Sequence, residues 1–158
     1  MPLTKPALDP NSVATVSRSD YPEPFRSRVL PRAKRPLGDA LGLTRVGINH
    51  TTLLPGKESS MRHWHTHEDE FVFVVEGEVV LCTDTGEQLL TAGMCAGFPA
   101  GAPEGHHLIN RSAADAVYLE ISNRDSADGA HYTDPEVDLR FSPPHAPGRF
   151  TRRDGTPV

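Results

Sequence analysis

Five of the eight histidines in this 158-residue chain fall in two short stretches, His63-Trp64-His65-Thr66-His67-Glu68-Asp69-Glu70 and Gly105-His106-His107. Imidazole and carboxylate together are the donor set of divalent transition metals. On a strand, His63 and His65 project to one face about 6.5 to 7 Å apart along the chain, close enough for two rings to converge on one ion. Glu70 opens the apolar run Phe71-Val72-Phe73-Val74-Val75. After the turn at 66–69, the chain can return antiparallel and bring that carboxylate beside the two rings. His106 opens a later strand and can add a third imidazole. Three neutral imidazoles and one carboxylate leave one or two coordination positions for water or substrate, as a catalytic metal site requires. An HxH pair on a strand is just as compatible with two hydrogen-bonded surface histidines, and the second cluster is what favours a metal.

The elements around these residues read as short strands between turn signals: 46–54, 61–65, 71–75, 78–83, 87–90, 95–98, 106–110 and 116–122. Pro55-Gly56, Gly77, Asp84-Thr85-Gly86, Gly93 and the Gly/Pro-rich stretch 99–105 punctuate them. Seven of the fifteen prolines lie in 1–38 and five in 135–158, so regular sheet pairing belongs to the middle and the ends are arms. Residues 36–42 can form a turn of helix at most. Many short strands predict an all-β antiparallel sandwich or barrel. Alternation along 116–122 puts Val117, Leu119 and Ile121 on one face, and their apolar character places Tyr118 and Glu120 outward, toward solvent.

The net charge of −5 argues against a nucleic-acid binder, which needs a basic face. Arg32-Ala33-Lys34-Arg35 and Arg152-Arg153 read as solvated arm charges. Cys82 and Cys95 read as two buried, reduced thiols. No stretch has the roughly 20 apolar residues of a membrane span, nor a signal-peptide run, and a soluble cytoplasmic protein is expected.

At these motifs the sequence resembles the cupin superfamily, whose first motif is G(x)5HxH(x)3–4E(x)6G and whose second is G(x)5PxG(x)2H(x)3N. The first appears here as Gly56, His63-Trp64-His65, Glu70 and Gly77, and the second as Gly93, Pro99-Ala100-Gly101, His106 and Asn110. One extra residue before His63 and two before His106 fall in turns, and Met94 stands where the family commonly has an acidic residue. The resemblance implies a double-stranded β-helix, the jelly-roll cupin β-barrel, with one divalent metal ion (Zn, Fe, Ni or Mn) on His63, His65, Glu70 and His106. Pairing His65 with His67 instead leaves only two residues before Glu70, and His107 lacks the following Asn110 spacing. His67 and His107 are therefore expected at the rim or in supporting roles.

The flanks, Tyr21-Pro22-Glu23-Pro24-Phe25 and residues 150–157, resemble single-domain bacterial cupins named as sugar-phosphate isomerases. The implied organisation is an N-terminal arm over 1–44 with a mobile start over 1–18, a barrel over 45–123, and a C-terminal extension over 124–158 packed on the barrel. The implied activity is a metal-dependent isomerase or epimerase of a small-molecule substrate, a sugar or sugar phosphate. An Fe(II)-dependent dioxygenase and a non-catalytic binding or sensing domain fit the same ligands. Arg62 and Arg111 are expected to face away from the metal, and no catalytic acid or base stands out. Tyr21, Phe25, Val29, Leu30, Phe141 and Phe150 in the arms suggest a homodimer in which the N-terminal arm lies across a neighbouring sheet.

Overall fold

The computed structural model describes residues 3–142 and 150–158. Its strands are β1 (Ala33–Pro36), β2 (Val46–Leu53), β3 (His63–His65), β4 (Glu70–Glu76), β5 (Glu78–Thr83), β6 (Gly86–Thr91), β7 (Cys95–Phe98), β8 (His106–Ile109), β9 (Ala116–Asn123), β10 (Ala130–Tyr132), β11 (Arg140–Phe141) and β12 (Phe150–Thr151). Two one-turn helices, α1 (Phe25–Val29) and α2 (Leu37–Leu41), flank β1. Every strand predicted between 46 and 122 is present, and α2 is the predicted helical turn. Of the segment expected to be mobile, residues 1 and 2 lie outside the described residues, and Val16 bridges to Lys34. Residues 143–149 of the C-terminal extension also lie outside them.

Two antiparallel sheets face each other, ordered β1-β2-β9-β4-β7 and β12-β11-β10-β3-β8-β5-β6. Interleaving of sequence-distant strands across the two sheets makes this a jelly roll. The strands carry apolar side chains at every second position, and these meet between the sheets as Leu53, Val72, Val74, Val79, Leu81, Leu90, Leu108, Ala116 and Tyr118. Gly77 joins β4 to β5 at φ 74°, where a Cβ would sit 2.9 Å from the Asp115 carbonyl oxygen, so only glycine fits this turn.

A second apolar cluster lies at one end of the barrel. Tyr21, Val29, Met61, Ala130, Tyr132, Val137 and Leu139 are buried there, with Phe25, Leu30, Phe141 and Phe150 packed against them. The aromatic side chains of both arms are thus covered by this chain's own residues. Phe25, Phe141 and Phe150 remain half-buried.

Strand β9 faces the opposite way from the expectation. Tyr118 is 1% exposed inside the barrel, and Glu120 shares its inward side, whereas Val117, Leu119 and Ile121 lie on the outer face. Both faces of β9 carry apolar groups, so alternation alone could not tell inside from outside. The outward set continues across β2 and β4 through Ile48, Phe71 and Phe73. Both cysteines are free, but only Cys82 is buried; Cys95 is exposed.

Asn110 is fully buried, and its side chain ties the end of β2 to the turn between β8 and β9. Nδ2 donates to the carbonyls of Leu53 (2.7 Å) and Ala114 (2.8 Å), and Oδ1 accepts from the Ser112 backbone N–H (2.9 Å). Asn110→Ala strands these backbone groups away from water, and we expect a loss of about 3 kcal/mol in urea unfolding. Unchanged stability would show that these groups find other partners.

Candidate metal centre

The strand pairing delivers the candidate residues to one place. His63 pairs with His106 across β3 and β8, and Glu70 stands at the start of β4 in the facing sheet. His106 Nε2 lies 2.7 Å from Glu70 Oε2, His65 Nε2 lies 3.5 Å from the same oxygen, and the Nε2 atoms of His63 and His65 are 3.0 Å apart. His63, Glu70 and His106 each offer a donor atom within 4.8 Å of the others. Phe98 stacks flat on His106, with ring centroids 3.6 Å apart and planes at 3°, which fixes that ring.

The hydrogen bonds on the far side of the rings decide what faces inward. His63 Nδ1 lies 2.7 Å from the Met61 carbonyl oxygen, which can only accept, so Nδ1 carries the proton. His65 Nδ1 lies 2.6 Å from Asp128 Oδ2 and donates in the same way. In the neutral rings both Nε2 atoms therefore present lone pairs to each other. Such an arrangement calls for a cation between them, a proton or a metal ion. The residues present thus fit a divalent ion: His63, Glu70 and His106 converge on one point, and His65, its Nε2 3.0 Å from that of His63, also converges with Glu68 and Asp128.

The electrostatics agree with this arrangement. Burial drives the His63 pKa down to about 4. Burial also disfavours charge on His65, but Glu70 and Asp128 outweigh it and raise the pKa. The same competition at Glu70 ends the other way for its proton: burial pushes the carboxyl up, but the His106 hydrogen bond and the neighbouring imidazoles bring it to about 2. Glu70 is thus an anion ready for a cation.

Asp128 had no distinguishing signal in the sequence, where it reads as part of an Asp-Gly turn. It is 0% exposed, and besides His65 it accepts the backbone N–H groups of His67 (2.8 Å) and Glu68 (3.1 Å). His67 is itself exposed at the rim, while His107 is buried on the opposite side of β8 from His106, with Nδ1 unpartnered. Arg62 and Arg111 face away as expected, paired with Asp84 (3.0 Å) and Glu87 (2.6 Å).

A cavity of about 330 Å³ opens onto the cluster and is lined by Tyr21, Arg32, Lys34, Tyr118 and Glu120 among others. Its size suits a small molecule. Arg32 and Lys34 are therefore not solvated arm charges. Spaced two apart at the start of β1, they share one side of the chain, and that side closes the mouth of the barrel. A second cavity of about 430 Å³, walled by Leu81, Leu90, Ala96, Phe98 and Pro99, reaches His65, Glu70 and His106 from another direction. Among the described residues, no helix is long and apolar enough to cross a membrane.

Two facing antiparallel sheets around a cluster of three imidazoles and a carboxylate define a double-stranded β-helix with a candidate metal centre. The family model for cupin domains matches residues 49–122. A sugar phosphate isomerase of the cupin superfamily from Silicibacter pomeroyi is 39% identical, with a TM-score of 0.87 and a match covering 97% of this chain and 96% of that one. A protein from Acidithiobacillus ferrooxidans, named as a candidate sugar phosphate isomerase, is 30% identical over 80% of each chain, with a TM-score of 0.71. The polyketide cyclase RemF from Streptomyces resistomycificus shares the fold at 18% identity and a TM-score of 0.61, over 78% of this chain and 81% of that one. No curated protein sequence matches. The chain belongs to the cupin superfamily.

Asp128 raises the proton affinity of His65, so Asp128→Asn lowers it. In chelator-treated protein the His65 ring, followed by nitrogen-15 NMR, is expected to titrate at a lower pH in the variant than in the wild type. An unmoved midpoint would mean that Asp128 serves only the 66–68 loop.

Proposed function

We propose that this protein is a metal-dependent isomerase of a sugar or sugar phosphate, with one divalent ion on His63, His65, Glu70 and His106. The observation that carries the reaction type is Glu120. Its Oε1 accepts from Lys34 Nζ at 2.8 Å and from Asn49 Nδ2 at 3.3 Å, while no described hydrogen bond reaches Oε2. Glu120 pairs with Val72 and Glu70 with Ser122, so the two carboxylates are diagonal neighbours on one sheet face. A carboxylate with one oxygen clamped and the other open to the cavity is placed to take a proton from a sugar carbon and return it to the next. Proton transfer between adjacent carbons is the step an isomerase needs from such a base. When bound, the ion supplies polarisation of the carbonyl and neutralises the charge that develops on it. Lys34 and Asn49 hold the Glu120 carboxylate in place, Phe98 and Asp128 hold two of the imidazoles, and the buried walls of the barrel limit water.

The relatives named as sugar phosphate isomerases support this reading. A homodimer belongs to the same proposal, formed through the outer face of the five-stranded sheet. Phe71, on that face, is 39% exposed, and its cross-strand neighbour Ile121 and the nearby Leu119 are only partly buried.

Alanine in place of His63 or His106 is expected to remove most bound metal while leaving the far-UV circular dichroism unchanged; His67→Ala and His107→Ala should keep it. Full occupancy in the first two variants would refute the ligand set. With aldose and ketose phosphates under anaerobic conditions, Glu120→Gln should lose at least about 100-fold in turnover at unchanged metal content. Turnover that requires oxygen would replace this reading with the dioxygenase. In sedimentation, the wild type should run as a dimer and Leu119→Asp as a monomer; a monomeric wild type sinks the dimer.

A further inference from the structure

Of the two cations lining the cavity, Lys34 is neutralised by Glu120, while Arg32 takes part in none of the ion pairs found among the described residues. Arg32 is nonetheless held firmly. Nη1 donates to the Ser59 carbonyl at 3.1 Å and Nη2 to the Arg18 carbonyl at 3.0 Å, so backbone oxygens grip both ends of the fork. Nε is buried and has no hydrogen-bond partner. Each Nη nitrogen uses one N–H on these carbonyls and keeps a second for an acceptor in the cavity. Arg32 lines the cavity together with Tyr21 and Tyr118.

We infer that Arg32 is the anchor for the phosphoryl group of a phosphorylated sugar, with the cavity hydroxyls of Ser19, Ser60 and Tyr21 near it as further donors. The remaining charged groups on the cavity wall are Asp20 between Ser19 and Tyr21, and Glu68, Glu70 and Glu120 nearer the histidines, so Arg32 must outweigh Asp20 for an anionic end to settle there and turn the other end toward the histidines. Arg32 offers the planar donor geometry that suits phosphate, and three phosphate oxygens can use donors that a carboxylate's two cannot. This inference deepens the isomerase reading by choosing phosphorylated over neutral sugars, but its test does not depend on turnover.

The test is calorimetric titration of the protein as purified with inorganic phosphate, acetate, a free hexose and the same hexose 6-phosphate at low ionic strength. The wild type should bind phosphate with a dissociation constant on the order of millimolar, bind the phosphate ester more tightly, and bind acetate and the free hexose at least about tenfold more weakly. Arg32→Met should weaken phosphate and ester binding at least about tenfold while leaving metal content unchanged, and Arg32→Lys should fall between the two. Phosphate on the metal ion would not depend on Arg32, so equal binding by wild type and Arg32→Met overturns the inference. Absence of saturable phosphate binding by the wild type, or hexose binding as tight as the ester, also overturns it. Should Arg32→Met fail to fold in urea titrations, Arg32→Lys decides alone, and unchanged phosphate affinity in it is the overturning result. Phosphate binding that needs Arg32 without any isomerisation would leave the anchor standing and remove the isomerase reading.

Discussion

Two imidazole nitrogens 3.0 Å apart, each with its lone pair turned toward the other, set the terms for the rest of the site. The contact is unfavourable unless a cation lies between them. The protein nevertheless builds it twice over, using the Met61 carbonyl to fix one ring and the Asp128 carboxylate to fix the other. Glu70 then adds negative charge, stacking on Phe98 immobilises His106, and burial raises the cost of any charge left unmatched. The cluster is preorganised for positive charge by interactions directed away from it.

The jelly roll makes this arrangement inexpensive in chain length. A single turn of four residues separates His65 from Glu70, yet the two residues enter different sheets, so donors arrive from opposite walls. The register between β4 and β9 then places Glu120 diagonal to Glu70 without any special loop. Function here rests on pairing that also builds the core: Val72 lies between the two carboxylates and belongs to the apolar cluster.

The barrel strands were readable because turn residues bound each one and because the two histidine stretches sit at strand starts. Three of the four candidate ligands, His63, Glu70 and His106, offer donor atoms within 4.8 Å of one another, and His65 stands beside His63. The orientation of β9 was not readable, since Val117, Leu119 and Ile121 are as apolar as a core face while Tyr118, a large side chain with one polar atom, is the one enclosed. Asp128 was hidden for a different reason: its partner His65 is 63 positions away, and no local pattern reports such a contact. Arg32 and Lys34 sat in a cluster whose composition resembles a solvated arm; only the antiparallel pairing of β1 with β2 turns alternate members of that cluster inward.

The bridge from Val16 to Lys34, with the Arg32 tethers to Arg18 and Ser59, stitches the N-terminal segment over the mouth of the barrel. The barrel and its first arm are consequently under different constraints. Changes within the barrel disturb the histidine cluster and the core together, whereas changes in the arm act on the cavity wall through Arg32 and Lys34 and reach His63 through the Tyr21 hydroxyl and Met61. A chain built on this plan can reshape the cavity wall by rewriting its first arm while the strands that carry the histidines and Glu70 keep their pairing.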